Sequence, residues 1–308
     1  MTRSGTVPIL RIKADLTLLL VSIVWGTAFA VQRIAADKID VFLFNGLRFS
    51  LGALVLLPLA WKTGRGWRRS WNGSRRLLPG MALAGFLLFS GITLQQWGLQ
   101  FTTAGNAGFI TGLYVVIIPL ILAVFWRQRL RASILVASFL AASGLFLLST
   151  GGQFRLARGD ELELAGAFIW AFHVILIGWL ARRVEIYPLA IVQYLVCGLL
   201  SLAAGAVYGS MSLQGLSEVG WTIAYTAVFS IGLGYTLQAV GQRVAPAADA
   251  AIILSMEAVF GALFGWLLLD ERLTSLQLLG CGLMLAGMLL AQGYSDQSSQ
   301  VNILELSD

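Results

Sequence analysis

The sequence predicts an all-α, polytopic membrane protein: ten transmembrane helices, arranged as two inverted five-helix repeats around a central cavity. Three observations predict it. Apolar residues make up 58% of the 308-residue chain and charged residues only 12%, with a mean hydropathy of +0.81, whereas a soluble chain carries about a quarter of charged residues to clothe its surface. Ten apolar runs approach the length of a bilayer span, about 20 residues. Finally, the chain matches itself at an offset of 143 to 145 residues.

The first run, 14–32, lacks a small-residue cleavage site and is long enough to cross a bilayer, so it reads as a permanent helix and not as a removed signal. The second, 41–61, carries Arg48. The third, 77–98, follows the Trp- and Arg-rich segment "KTGRGWRRSWNGSRR", whose composition is that of an interfacial loop. The fourth, 105–126, opens with "GFITG" spacing, and the ninth, 247–269, carries "GALFG"; both are the small-xxx-small pattern of close helix packing. The remaining runs are 133–149, 162–180, 188–208, 219–240 and 276–292. Together they leave short loops and the polar tail 293–308, read as disordered. Cys197 and Cys281 sit in apolar runs without metal-ligand spacing and read as packing residues.

Charge orients the chain. Fifteen of the 21 Lys and Arg residues fall on the side of the N-terminus and five on the other, with Arg48 inside the second run. The positive-inside rule then places both termini in the cytoplasm of a protein of the inner (plasma) membrane. The net charge of +6 is accounted for by loops facing anionic headgroups, and no nucleic-acid partner is expected.

The internal match decides the architecture. A shift of 143 sets "TLQQWGLQFTTAGNAG" over "TLQAVGQRVAPAADAA" and continues to Arg129 and Arg272, with 11 identities in 38 positions. A shift of 145 sets Trp25 over Trp170. The units are 14–149 and 160–292. Because five spans is an odd number, the second unit enters the membrane from the opposite side, and such inverted repeats hold a binding site near the midplane between two alternative packings.

The stretch "ILSMEAVFGALFGWLLLDERLTSLQLLGCGLMLAGM" resembles the end of the second EamA unit of the drug/metabolite transporter superfamily, and "VSIVWGTAFAVQRIA" with "NGLRFSLGALVL" resembles the start of the first. The resemblance covers about residues 14–292. It implies a carrier whose spans 1–4 and 6–9 surround a central cavity, with spans 5 and 10 peripheral and available for homodimer contacts, and it implies metabolite export with amino acids as common cargo. One departure stands out: the small four-helix relatives carry an essential glutamate in their first span, whereas the first span here has no acid beyond Asp15 at its mouth. Their proton-coupling scheme is therefore not carried over.

Polar residues inside the runs are the candidate site. An ionised acid at Glu257, deep in the ninth run, costs several kcal/mol unless it faces protein or water. Two readings stand for it, a proton or substrate-amine partner and a structural acid bonded to a neighbouring helix. The repeat sets Tyr114 at its equivalent position. Arg48 has two readings as well, a framework residue and a carboxylate partner. His173, the only histidine, is either a satisfied packing residue or a group lining a polar path. Gln95 and Gln238, like Gln96 and Gln193, need partners in hydrocarbon. Trp25 and Trp170 lie midway along equivalent spans, and Tyr114, Tyr194 and Tyr235 are similarly deep. Walls of Trp and Tyr suit a flat apolar or cationic guest, and filler between helices is the alternative for each. Trp61, Trp67, Trp71, Trp126 and Trp179 lie at span ends as an interfacial belt. Asn106 and Asp249 begin equivalent spans and read as helix caps, and "DER" at 270–272 as an interfacial loop.

No HExxH, GxSxG or GxxxxGK[ST] pattern and no metal-ligand cluster occurs, so neither an enzyme nor an ATP-driven pump is expected, and no cofactor. The expected function is a secondary transporter exporting small metabolites by alternating access, amino acids first among them and aromatic or bulky ones in particular. The alternative is a translocase of lipids or lipid-linked intermediates, or a channel-like protein. The expected partners are a small-molecule substrate and membrane lipid.

Overall fold

Each apolar run becomes a helical rod. The computed structural model describes residues 6–62, 71–102, 104–129, 131–153, 158–269 and 272–304, and no strand occurs among them. The rods are α1 (Thr6–Ala36), α2 (Val41–Lys62), α3 (Leu78–Phe101), α4 (Ala104–Gly112 continued by Tyr114–Trp126), α5 (Ala132–Thr150), α6 (Asp160–Ala181), α7 (Ile186–Tyr208), α8 (Leu216–Tyr225, Thr226–Tyr235 and Thr236–Gln242), α9 (Ala247–Leu254 continued by Glu257–Leu269) and α10 (Ser275–Leu304). Among the described residues, nine helical stretches are long and apolar enough to cross a bilayer, and the apolar part of α10, Ser275–Ala291, forms a shorter tenth. Large apolar side chains such as Phe139, Leu199 and Val207 stand exposed on the outside. That surface belongs in lipid, and the protein is a multi-pass membrane protein.

The repeat is written in the helix boundaries. Ala36 and Val41 bound the α1–α2 connection, and Ala181 and Ile186, each 145 residues later, bound the α6–α7 connection. Ala104, Tyr114 and Trp126 of α4 answer to Ala247, Glu257 and Leu269 of α9 at an offset of 143. Packing follows the same exchange. α1 packs on α9 as α6 packs on α4; α1 on α8 as α6 on α3; α2 on α8 as α7 on α3. α2, α4 and α5 each pack on their own counterparts, α7, α9 and α10.

Helices α5 and α10 meet most closely. A Cβ on Gly144 would lie 2.5 Å from the Gly280 carbonyl oxygen, and one on Gly280 equally near that of Gly144. Only glycine lets these backbones touch, which gives dispersion contact where lipid offers no hydrophobic drive. The "GFITG" motif of α4 behaves differently from the seam expected of it. Gly112 sits against Leu145, but nothing among the described residues lies within 4 Å of a Cβ on Gly108.

Two sequence expectations change here. The segment 293–308, read as a disordered tail, continues α10 as helix up to Leu304, because a packed span supplies the nucleus and each added residue gains one backbone hydrogen bond. Asp249, read as a cap, lies in the first turn of α9, where no side chain caps the helix. It accepts a hydrogen bond from Arg11 Nη2 at 2.9 Å instead, an anion at a helix start paired with a cation. The Asn106 side chain, Trp67, and the Asp270 and Glu271 of "DER" lie outside the described residues.

Candidate functional site

Helix α4 is interrupted at Leu113 and α9 at Ser255 and Met256, so Leu113 and Met256 mark equivalent positions. At the α9 break, Ser22 of α1 donates to the Ile253 carbonyl at 2.7 Å and Ser255 to that of Ile252 at 2.8 Å. Freed backbone groups in hydrocarbon need such partners. The second halves of both helices then begin at Tyr114 and Glu257. Tyr114 Oη lies 3.4 Å from Glu257 Oε1, oriented to donate to it.

Helix α8 contributes a second irregularity. Residues Thr226–Tyr235 wind as a π-helix, a rare form that is frequent at functional sites. Trp25 of α1 packs against this stretch, its Nε1 donating to the Ser230 carbonyl at 3.1 Å. A Cβ at Gly234 would fall 2.5 Å from that same nitrogen, so the glycine makes room for the indole.

Between these elements lies a cavity of about 590 Å³, part of it open to solvent. The first half lines it with Trp25, Ala28, Phe29 and Gln32 of α1, Arg48 and Phe49 of α2, Ile92 and Gln95 of α3, and Thr111 and Tyr114 of α4. The second half lines it with Trp170 and Val174 of α6, Ser230, Ile231, Tyr235 and Gln238 of α8, and Leu254 and Glu257 of α9. Tyr235 stands between the two tryptophans, its ring 4.7 Å from that of Trp25 and stacked at 6.1 Å on that of Trp170. The walls are aromatic and the polar groups few, as in small-molecule sites generally.

Two charged residues line this cavity. Arg48 is 1% exposed, and its Nε and Nη2 both donate to Asn45 Oδ1, at 3.1 and 2.7 Å. Phe44 and Phe49 flank the guanidinium at 4.6 and 5.4 Å. Among the described residues no carboxylate pairs with it; the ion pairs present lie elsewhere. A buried cation without an anion is costly, and this one borders empty space. Glu257 supplies the opposite charge type, with Tyr114 as its one hydrogen-bond partner among the described residues.

Of the residues suspected from sequence, Trp25, Arg48, Gln95, Tyr114, Trp170, Tyr235, Gln238 and Glu257 meet at the cavity. His173 and Tyr194 do not. Both are fully buried behind its wall: His173 Nε2 lies 3.1 Å from Gln193 Oε1, and Tyr194 Oη 3.0 Å from Thr236 Oγ1. Gln96 turns away to donate to the Gln32 carbonyl. Sequence reasoning passed over Phe29, Gln32, Phe49, Thr111 and Ser230. It also passed over Glu163 in α6, a fully buried acid that accepts from Thr111 Oγ1 at 2.8 Å. Its position inside the run 162–180 was the available signal. Ser230 had none, since a lone serine in an apolar helix ordinarily bonds to its own backbone.

The sequence model of the EamA-like transporter family matches residues 12–150 and 158–292. An uncharacterized transporter of Archaeoglobus fulgidus is 33% identical over 288 residues, covering 94% of this chain and 88% of its own. The threonine/homoserine exporter RhtA of Escherichia coli is 26% identical, over 85% of each chain. The chloroplastic WAT1-related protein At3g02690 of Arabidopsis thaliana is 24% identical over 86% of this chain and 66% of its own. A crystal structure with 18% identity superposes with a TM-score of 0.77, covering 92% of this chain and 98% of the other.

Proposed function

The chain belongs to the EamA-like transporter family, and on that premise we propose that it exports amino acids across the inner (plasma) membrane by alternating access, both termini facing the cytoplasm. The carrying observation is that one cavity is bordered both by a buried guanidinium without an acidic partner and by a carboxylate. An α-amino acid carries the complementary pair of charges. Its carboxylate suits Arg48, whose planar donors match two oxygens, and its ammonium suits Glu257. The side chain then lies among Trp25, Trp170 and Tyr235, which favours bulky or aromatic residues through area and ring contact. The name of the Escherichia coli relative, a threonine/homoserine exporter, supports the same substrate class.

Competition in proteoliposomes tests this reading. Radiolabelled amino acid is taken up while the free amino acid, its decarboxylated amine and its deaminated acid compete in separate arms. The intact amino acid is expected to compete best, because each missing charge forfeits about 2 kcal/mol of charge-assisted hydrogen bonding, ~30-fold in affinity. Arg48→Gln is expected to erase the advantage of the amino acid over its amine, and Glu257→Gln its advantage over the acid. Equal competition by all three compounds would reject the assignment.

A further inference from the structure

The two halves do not line the cavity equally. From the first half, α1 gives Trp25, Ala28, Phe29 and Gln32, and α2 gives Arg48 and Phe49; from the second, α6 gives only Trp170 and Val174 and α7 gives nothing. The offset of 145 that relates α1 and α2 to α6 and α7 carries Ala28 to His173, Gln32 to Ile177, Arg48 to Gln193 and Phe49 to Tyr194. These four are fully buried.

We infer that His173, Ile177, Gln193 and Tyr194 form the hidden half of the substrate path, and that they line the cavity when it opens to the face bearing the termini. The inference rests on the alternating-access reading above. In an inverted repeat the second state is reached when each half takes the other's conformation. The wall that α1 and α2 present now is then presented by α6 and α7, at mirrored depth: Arg48 lies seven residues past the start of α2, and Gln193 seven past the start of α7.

An independent observation points the same way. His173 and Gln193 bond to each other, yet His173 Nδ1 and Gln193 Nε2 are buried without partners among the described residues. Because Gln193 Oε1 only accepts, His173 Nε2 carries the hydrogen, which leaves Nδ1 as an open acceptor beside the open donor Nε2 of Gln193. Unmet polar atoms in a lipid-embedded protein are costly, and wetting the pair removes that cost. The wall that covers it is one side chain thick. Tyr235, which lines the cavity, packs 6.2 Å from His173 and 6.4 Å from Tyr194, ring centre to ring centre.

On the face bearing the termini an ion-pair tie spans the two halves. Arg11 of α1 binds Asp15 on its own helix and Asp249 at the start of α9, both at 2.9 Å, so the tie joins the two halves. On the far side of the wall, the polar pair offers a passing amino acid neutral hydrogen-bonding groups where Arg48 offers a charge.

Cysteine accessibility tests the inference in the full-length protein. In a Cys197→Ala, Cys281→Ala background, Gln193→Cys and, separately, Ile177→Cys are exposed to a membrane-impermeant thiol reagent in vesicles of each orientation. Modification from the face bearing the termini only is expected, and Arg11→Ala is expected to speed it. Arg48→Cys in the same background is expected to react from the opposite face only. If a variant that elutes as intact protein reacts from the Arg48 face, or stays unreactive from the terminal face even with Arg11→Ala, the inference is overturned. The labelling does not depend on the cargo. Correct labelling without amino-acid competition would retire the substrate reading alone, and the reverse pattern would retire this inference alone.

Discussion

Arg48 and Glu257 carry the account at the scale of single residues, because each is an ionisable side chain placed where only a partner, water or a ligand makes it tolerable. Their aromatic surroundings depend on a residue with no side chain. Gly234 leaves Trp25 its place against α8, and a Gly234→Leu side chain would occupy the position of the indole Nε1, 2.5 Å from where a Cβ begins. Gly234→Leu is therefore expected to lower amino-acid uptake by about tenfold or more, as Trp25 loses one hydrogen bond and its packing, while the protein still inserts and elutes normally. Uptake equal to the parent's would show that the position of Trp25 is irrelevant. Arg48 and Glu257 were legible in sequence because charge deep inside an apolar run is conspicuous, whereas Glu163, one residue into its run, was passed over. Gln32, Thr111 and Ser230 were not, since small polar residues are tolerated in spans by bonding to their own helix. His173 and Tyr194 were singled out by type and depth, and burial behind Tyr235 is a matter of packing that no run of letters displays.

At the scale of elements, the positions of all ten runs were readable, because apolar length is dictated by bilayer thickness. Their interruptions were not. The breaks at Leu113 and at Ser255 and Met256 carry no proline, and the π-helical stretch of α8 looks like any apolar segment in sequence. These features depend on neighbours such as Ser22 and Trp25, which satisfy backbone carbonyls from another helix. The glycine motifs gave a mixed return. A close backbone seam forms at Gly144 against Gly280, and not at the "GFITG" of α4. Gly280→Val is accordingly expected to destabilise the protein by about 1–3 kcal/mol through overpacking against a backbone atom. Thermal unfolding in detergent reads this as a lower midpoint, and an unchanged midpoint would mean that the α5–α10 contact is loose.

At the scale of the whole molecule, the self-match at 143 to 145 residues foretold the pairing of helices, since two similar units that meet around an axis must exchange their contacts. It did not foretell that the two halves would differ in what they show to the cavity. Under the alternating-access reading proposed above, that asymmetry belongs to a carrier facing one way, and it makes alternation the central claim. The most direct test is counterflow: proteoliposomes loaded with unlabelled amino acid are diluted into a trace of the same labelled compound. A carrier that alternates accumulates label transiently above the outside concentration, with a rate that saturates. Label that only equilibrates, at a rate proportional to its concentration, would contradict the account.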